Sequence, residues 1–341
     1  MKTNYSKLSR FLLIAILPAS LTLHSCAKDD EEIKDDNKPS TKSTVTLFAT
    51  TNTGANFTQF DVTNITDISV KNLITLNVDA DGINYNKSLD FVAQVNRTED
   101  KVDVYGNISN TQTGTAITPT FSSTSNFTNG RELVMTDNKI VVAEDADGAN
   151  KLVVYNYTAA GITLDKIFDV SINLWGITID NNTLYAVQDN SDTLAVFENF
   201  FSQPAGTLAP TFKVQVEGIV RTHGLTYDAS TDVMFLTNIG DAGSATDGGI
   251  HIVKNFNAIL SLAETSGKID ATSQIVIEGT NSMLGNPVDI AYDNKNNKIY
   301  VAERAVDGGR ILGFNMPSAS GNIAPIYSGL YPGASSVSIS Y

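Results

Sequence analysis

The sequence predicts an all-β fold: a six-bladed β-propeller with four-stranded blades and strand-swapped closure by the C-terminal strand. Three observations carry this. A short apolar segment recurs six times, turn-forming residues separate β-branched and aromatic runs, and the two chain ends each hold part of one repeat. Repeats of about 40 to 50 residues fit propeller blades, in which a small sheet buries its faces only by stacking on its neighbours.

The recurring segments are TLFATTN, DFVAQVN, IVVAEDA, LYAVQDN, MFLTNIG and IYVAERA, each running into a polar residue at Thr50, Gln94, Glu144, Gln188, Asn238 and Glu303. Successive steps between those residues are 44, 50, 44, 50 and 65. After each comes a turn and a second run, such as DKVDVYG or GRILGFN. Before most of them lies an inner run closed by Asp: TLNVD, LVMTD, GITID, GLTYD and DIAYD. GTAITPTF, GTLAPTF and GNIAPIY read as edge strands, where proline is tolerated because one side of the ladder is unpaired. The count per blade is therefore four strands.

The first repeat, from Thr44, has no inner run ahead of it, and SSVSISY, Ser335 to Tyr341, is an inner run with nothing after it. Joined, they complete one blade and remove an exposed sheet edge. Blade five is predicted to be irregular. Its loop NIGDAGSATDGG is long, and NAILSLAETSGKID has apolar residues spaced for one short helix.

Ahead of the repeats, Lys2, Lys7 and Arg10 precede the apolar run FLLIAILPASLTL, which is too short for a membrane span of about 20 residues but suits a secretory signal. LHSC then places a small residue before Cys26, the only cysteine. This resembles the lipobox of bacterial lipoproteins, which implies a signal peptide over 1–25, lipidation of Cys26 and anchoring by acyl chains. Residues 27–43, with six acidic and four basic side chains and one large apolar residue, read as a disordered tether following the lipidated Cys26. Their opening KDDEE resembles the acidic signal of surface-exported Bacteroidetes lipoproteins; a plain solvated spacer is the other reading. The propeller then spans 44–341. The expected location is the outer membrane or cell surface.

The formal net charge is −14, and −17 without the three cations of residues 1–25. Such a field repels nucleic acid and anionic membrane surfaces, so no nucleic-acid partner is expected and the only membrane contact is through the lipid. A lone cysteine makes no bridge within the chain, so the domain is held by its core.

The repeats resemble six-bladed propellers of the NHL-repeat and gluconolactonase-like kind. In such a fold the loops entering the inner strands and leaving the second strands meet at the central channel. They supply Arg131, Trp175, His223 and Gln188 as candidate ligand-binding residues. The enzyme resemblance implies a divalent metal serving lactone hydrolysis, with Glu144, Asn238, Asp289 and Glu303 as the matching oxygen ligands and Ca²⁺ as the candidate ion. Solvated strand ends are the plain alternative for these residues. Trp175 reads as channel floor or as a sugar-stacking platform. Two readings follow: a monomeric surface module that binds an extracellular protein, glycan or small molecule at its central face, or a metal-dependent lactonase-like hydrolase. No G-x-S-x-G, H-E-x-x-H or phosphate-binding loop is present to name a catalytic residue.

Overall fold

The computed structural model describes residues 44–341; Cys26, the signal segment and the tether lie outside the described residues. Six antiparallel sheets form the blades of a six-bladed β-propeller. Blade 1 pairs Ala334–Ser340 with Thr46–Thr51, Asn56–Asp61 and Ser69–Ile74. Blade 2 comprises Ala80–Asn86, Phe91–Asn96, Lys101–Gly106 and Phe121–Ser122. Blade 3 comprises Gly130–Met135, Lys139–Glu144, Lys151–Thr158 and Gly161–Asp169. Blade 4 comprises Leu174–Asp180, Thr183–Gln188, Thr193–Phe197 and Phe212–Val216. Blade 5 comprises Leu225–Asp228, Val233–Asn238, Gly249–Lys254 and Ile275–Glu278. Blade 6 comprises Pro287–Asp293, Lys298–Glu303, Arg310–Asn315 and Tyr327–Leu330.

The expected closure is present: Leu47 to Thr50 pair antiparallel with Ile339 to Ser336. The helix expected in blade 5 is Phe256–Ser266, which buries Phe256, Leu260 and Ala263 and stops at Gly267 in the left-handed conformation that glycine adopts without penalty. Each of the six junctions between blades holds its own apolar cluster. Leu47, Tyr300 and Val337 share the one between blades 6 and 1, while Val196, Leu236 and Phe256 share the one between blades 4 and 5.

Inner strands end in Asp or Asn for a local reason. Asp293 Oδ1 accepts the backbone N–H groups of Lys295 and Asn296, and Asn86 Oδ1 accepts that of Leu89, so the side chain builds the hairpin turn. One inner run differs from the sequence reading. TLNVD is not a strand; the inner strand of blade 2 is Ala80–Asn86. Leu76 and Val78 are 80% and 53% exposed, so the apolar alternation there meets solvent instead of a neighbouring blade.

The edge runs also divide in two. GTAI does not join the outer strand of blade 2; Ala116 pairs in parallel with Ile74 of blade 1. Only Phe121–Ser122 completes blade 2. Gly206–Thr207 likewise pairs with Phe168 and Asp169 of blade 3, and Gly321 with Ile277 of blade 5. These segments stitch a blade to the one before it.

Candidate functional site on the central face

Consecutive inner strands touch all the way round the axis. Each opens with an equivalent quartet: ADGI from Ala80, GREL from Gly130, LWGI from Leu174, THGL from Thr222, PVDI from Pro287 and ASSV from Ala334. In blades 1, 2, 3, 4 and 6 the pairing register slips at this point. Such a bulge re-aims side chains. Of the second residues, Asp81, Arg131, Trp175 and His223 follow one another round the upper mouth of the channel, whereas Val288 packs into the apolar cluster between blades 6 and 1. The third residues, Gly82, Glu132, Gly176, Gly224, Asp289 and Ser336, close it below. Crowding explains the glycines: a Cβ on Gly176 would lie 2.3 Å from the carbonyl oxygen of His223, and one on Gly224 would lie 2.6 Å from the Asp289 Cα.

Three of the four expected ligand-binding residues form one stack. The Trp175 and His223 rings are parallel, 4° apart in plane with centroids 3.5 Å apart, and the Arg131 guanidinium carbon sits 4.0 Å over the Trp175 ring. Both faces of the indole are therefore covered. Trp175 is a packed pillar at the mouth of the channel and offers no open platform for a sugar ring.

Carboxylates surround the stack. His223 Nε2 and Arg221 Nε each lie 2.9 Å from Asp189 Oδ1. Arg131 Nη2 donates to Asp145 over 3.4 Å, and Arg97 Nη1 donates to Asp81 over 3.3 Å. Burial pulls the His223 imidazole down to about 4 in spite of Asp189, so the ring is neutral at pH 7. Burial also works to raise Asp189, but the bonds from His223 and Arg221 prevail and hold it at about 2. A neutral imidazole that donates from Nε2 to this carboxylate keeps its Nδ1 as a lone-pair acceptor. That Nδ1 is buried with no partner, as are Arg131 Nε, Thr222 Oγ1 and Gln188 Oε1, the last belonging to the fourth expected ligand-binding residue. Burial pushes Asp81 up to about 7 against the pull of Arg97, Arg131 and Arg304.

Below the stack lies a second buried group. Ser336 Oγ is 2.8 Å from Asp289 Oδ2 and 3.2 Å from Glu132 Oε2. Both carboxyls are pushed above their ordinary range, first by burial. Asp289 accepts backbone N–H groups from Val337 at 2.7 Å and Ile290 at 2.8 Å, whereas Glu132 accepts only that of Leu133. Donors stabilise the ionised form, so Asp289 is the carboxylate of the pair and Glu132 the acid that holds the proton. They face a cavity of about 160 Å³ on the lower side of the channel, also lined by Ile177, Leu225 and Ile339.

The four residues expected to hold a metal do not come together. Among the described residues no three His, Cys, Asp or Glu side chains are grouped to hold an ion. Glu144, Asn238 and Glu303 instead clasp the loop ahead of their own inner strand. Glu144 Oε1 accepts Thr128 N at 2.6 Å, and Asn238 Oδ1 accepts Val220 N at 2.9 Å. Glu303 accepts the N–H groups of Gly285, Asn286, Ala305 and Val306. Only Asp289 reaches the axis. Since hydrogen bonds to a charged acceptor are worth about 1.5–3 kcal/mol, Glu303→Gln is expected to cost about 2 kcal/mol of stability, equally with and without calcium. Melting curves in calcium and in chelator check this; a cost confined to the calcium sample would make Glu303 a ligand.

Sequence reasoning missed Asp81, Arg97 and Arg221 and the pairing of Glu132 with Asp289. The signal available for two of these was the quartet at the head of each inner strand, which becomes readable only once TLNVD is set aside in favour of ADGI.

Comparison with solved structures agrees on architecture. A candidate 6-phosphogluconolactonase of Bacteroides fragilis superposes with a TM-score of 0.61 at 12% identity, over 89% of this chain and 99% of that one. A second candidate 6-phosphogluconolactonase, from Bacteroides uniformis, gives 0.56 at 11% identity over 89% and 87%. A chain of a nidogen/laminin complex gives 0.57 at 11% identity over 86% and 98%. At such identities the likeness is one of fold. No family model and no curated protein sequence matches the chain.

Proposed function

We propose that this is a lipid-anchored surface propeller, of the NHL-repeat and gluconolactonase-like kind, whose upper central face binds a polar, uncharged ligand, a glycan. The observation that carries the reading is the set of buried polar atoms without partners around one rigid stack: Arg131 Nε, Gln188 Oε1, Thr222 Oγ1 and His223 Nδ1. Buried polar groups are nearly always paired, so donors and acceptors left over together suit a ligand that can both donate and accept. Hydroxyl groups do both. Charge supports neutrality of the ligand, because Arg97, Arg131, Arg221 and Arg304 are set against Asp79, Asp81, Asp145 and Asp189 at the same mouth. Membrane anchoring rests on Cys26 and its sequence context alone, and a Bacteroidetes-type surface lipoprotein is the setting that context suggests.

The test is an array of uncharged oligosaccharides, followed by calorimetry with the tightest of them. Arg131→Ala and Gln188→Ala are each expected to weaken binding at least tenfold, and Cys26→Ser to remove the binding activity from intact cells. No binding across the array, or affinity unchanged in both variants, overturns the reading. Hydrolysis of a sugar lactone above the uncatalysed rate would favour the hydrolase.

A further inference from the structure

An unstitched groove lies on the outer rim, between blades 6 and 1. Four of the six junctions are stitched by an extended segment that leaves one blade and pairs in parallel with the outer strand of the blade before it. Ile117 N donates to Ile74 O at 2.8 Å between blades 2 and 1, and Leu208 N to Asp169 O at 2.9 Å between blades 4 and 3. Lys268–Ile269 pairs with Gln215 and Val216 between blades 5 and 4, and Gly321 N donates to Val276 O at 2.9 Å between blades 6 and 5. The segments share a chemistry. Each starts with glycine, and three read GTAITP, GTLAP and GNIAP, uncharged and with one branched residue, Ile117, Leu208 or Ile323, turned at least partly inward.

The length of the connection between third and fourth strands decides which junctions are stitched. It spans residues 107–120, 198–211, 255–274 and 316–326 in the four blades that supply a stitch. In blade 1 it is only 62–68, and in blade 3 only 159–160. Blade 3 follows an outer strand of two residues, Phe121–Ser122, which offers little edge. Blade 1 follows Tyr327–Leu330, a four-residue edge left without its stitch. At that place a groove of about 600 Å³ opens, lined by Phe60, Val70 and Asn72 of blade 1 and Tyr327, Gly329 and Leu330 of blade 6. Val70 is 52% and Leu330 64% exposed. No Asp, Glu, Lys or Arg lines it.

We infer that this groove receives an extended, uncharged segment of a partner polypeptide, of the pattern Gly-polar-Ile/Leu-Ala-Pro, which adds a strand to the Tyr327–Leu330 edge as the chain's own stitches do elsewhere. Strand addition takes affinity from main-chain bonds and selectivity from the pocket for alternate side chains. The protein's own tether is a poor occupant, since ten of the seventeen residues of 27–43 are charged.

The experiment uses a fluorescent peptide GTLAPTF, the sequence of residues 206–212, titrated into the propeller and followed by anisotropy. Saturable binding is expected, weakened at least tenfold by the double variant Val70→Asp/Leu330→Asp and by placing Asp at the peptide's Leu. Both substituted positions are exposed, so the melting temperature should not move. Arg131→Ala should leave the peptide affinity unchanged, which separates this site from the central face. No saturation by about 1 mM peptide, or affinity indifferent to the double variant, overturns the proposal. A dimer that the double variant dissolves would assign the groove to a second copy and overturn it too.

Discussion

Removal of Ser335 to Tyr341 is expected to abolish the cooperative unfolding transition, whereas removal of seven residues from Lys28 leaves the melting temperature unchanged. The seven C-terminal residues are nearly all of the inner strand of blade 1. They pair along Thr46–Thr51, place Val337 in the cluster shared by blades 6 and 1, and send Ser335 Oγ to Ala80 O at 2.8 Å across to blade 2. Each main-chain bond contributes about 0.5–1.5 kcal/mol net, and a buried donor or acceptor left unpaired costs about 1–3 kcal/mol. A handful of such losses equals the whole stability of a typical domain, about 5–15 kcal/mol. Deletion also turns Thr46–Thr51 into an open, apolar inner edge, so the truncated chain is expected to aggregate. Scanning calorimetry and light scattering on the two deletions provide the check. Equal melting would mean that closure does not depend on this strand.

The second strands are legible in the sequence because each is buried on both faces and therefore reads as a continuous apolar run ending at a polar clasp. The inner strand of blade 2 is not, because ADGINYN carries Asp81 and Gly82 where periodicity looks for apolar residues, while TLNVD beside it has the alternation of a strand and none of the burial. GTAITPTF holds a stitch and an outer strand in one unbroken run, and nothing in its composition marks where the chain passes from one blade to the next. The stack of Arg131, Trp175 and His223 is partly legible, since all three stand at the head of an inner strand. What the sequence does not reveal is that the indole is covered on both faces, which follows from the angular spacing of neighbouring blades. Glu144 and Glu303 mislead for a related reason. A carboxylate at the end of a strand next to a channel looks like a ligand, and whether it faces the axis or the N–H groups of its own loop is settled by the loop's path.

Glu132→Gln is expected to stabilise the protein at neutral pH and to do so less as the pH falls. Glu132 is fully buried beside Asp289, and its carboxyl is held well above its ordinary range by burial first and by the neighbouring carboxylate second. An acid whose pKa is raised on folding binds its proton more tightly in the native state, so native stability declines as pH rises from the ordinary carboxylate range near 4.5 through the raised value. Asp289, raised to about 6, adds the same trend. His223 runs the other way: with its pKa lowered to about 4, it favours the native state increasingly as pH rises towards 6.5. Wild-type stability alone would show only the sum of these opposing slopes. The difference between variant and wild type cancels His223, because both chains carry it. The substituted amide keeps an oxygen for the Leu133 N–H and turns its own N–H towards Asp289, as the protonated acid does, so it removes the cost of ionisation without removing the contact. The gain is expected to be largest at pH 8, where the wild-type acid must ionise or hold its proton against the solvent, and to shrink towards zero by about pH 4. The gain is read as a rise in melting temperature that grows with pH. Melting curves of both proteins across this pH range decide it. A difference independent of pH, or a variant less stable than wild type at the alkaline end, would show that Glu132 is ionised in the native channel and that its proton is not shared with Asp289.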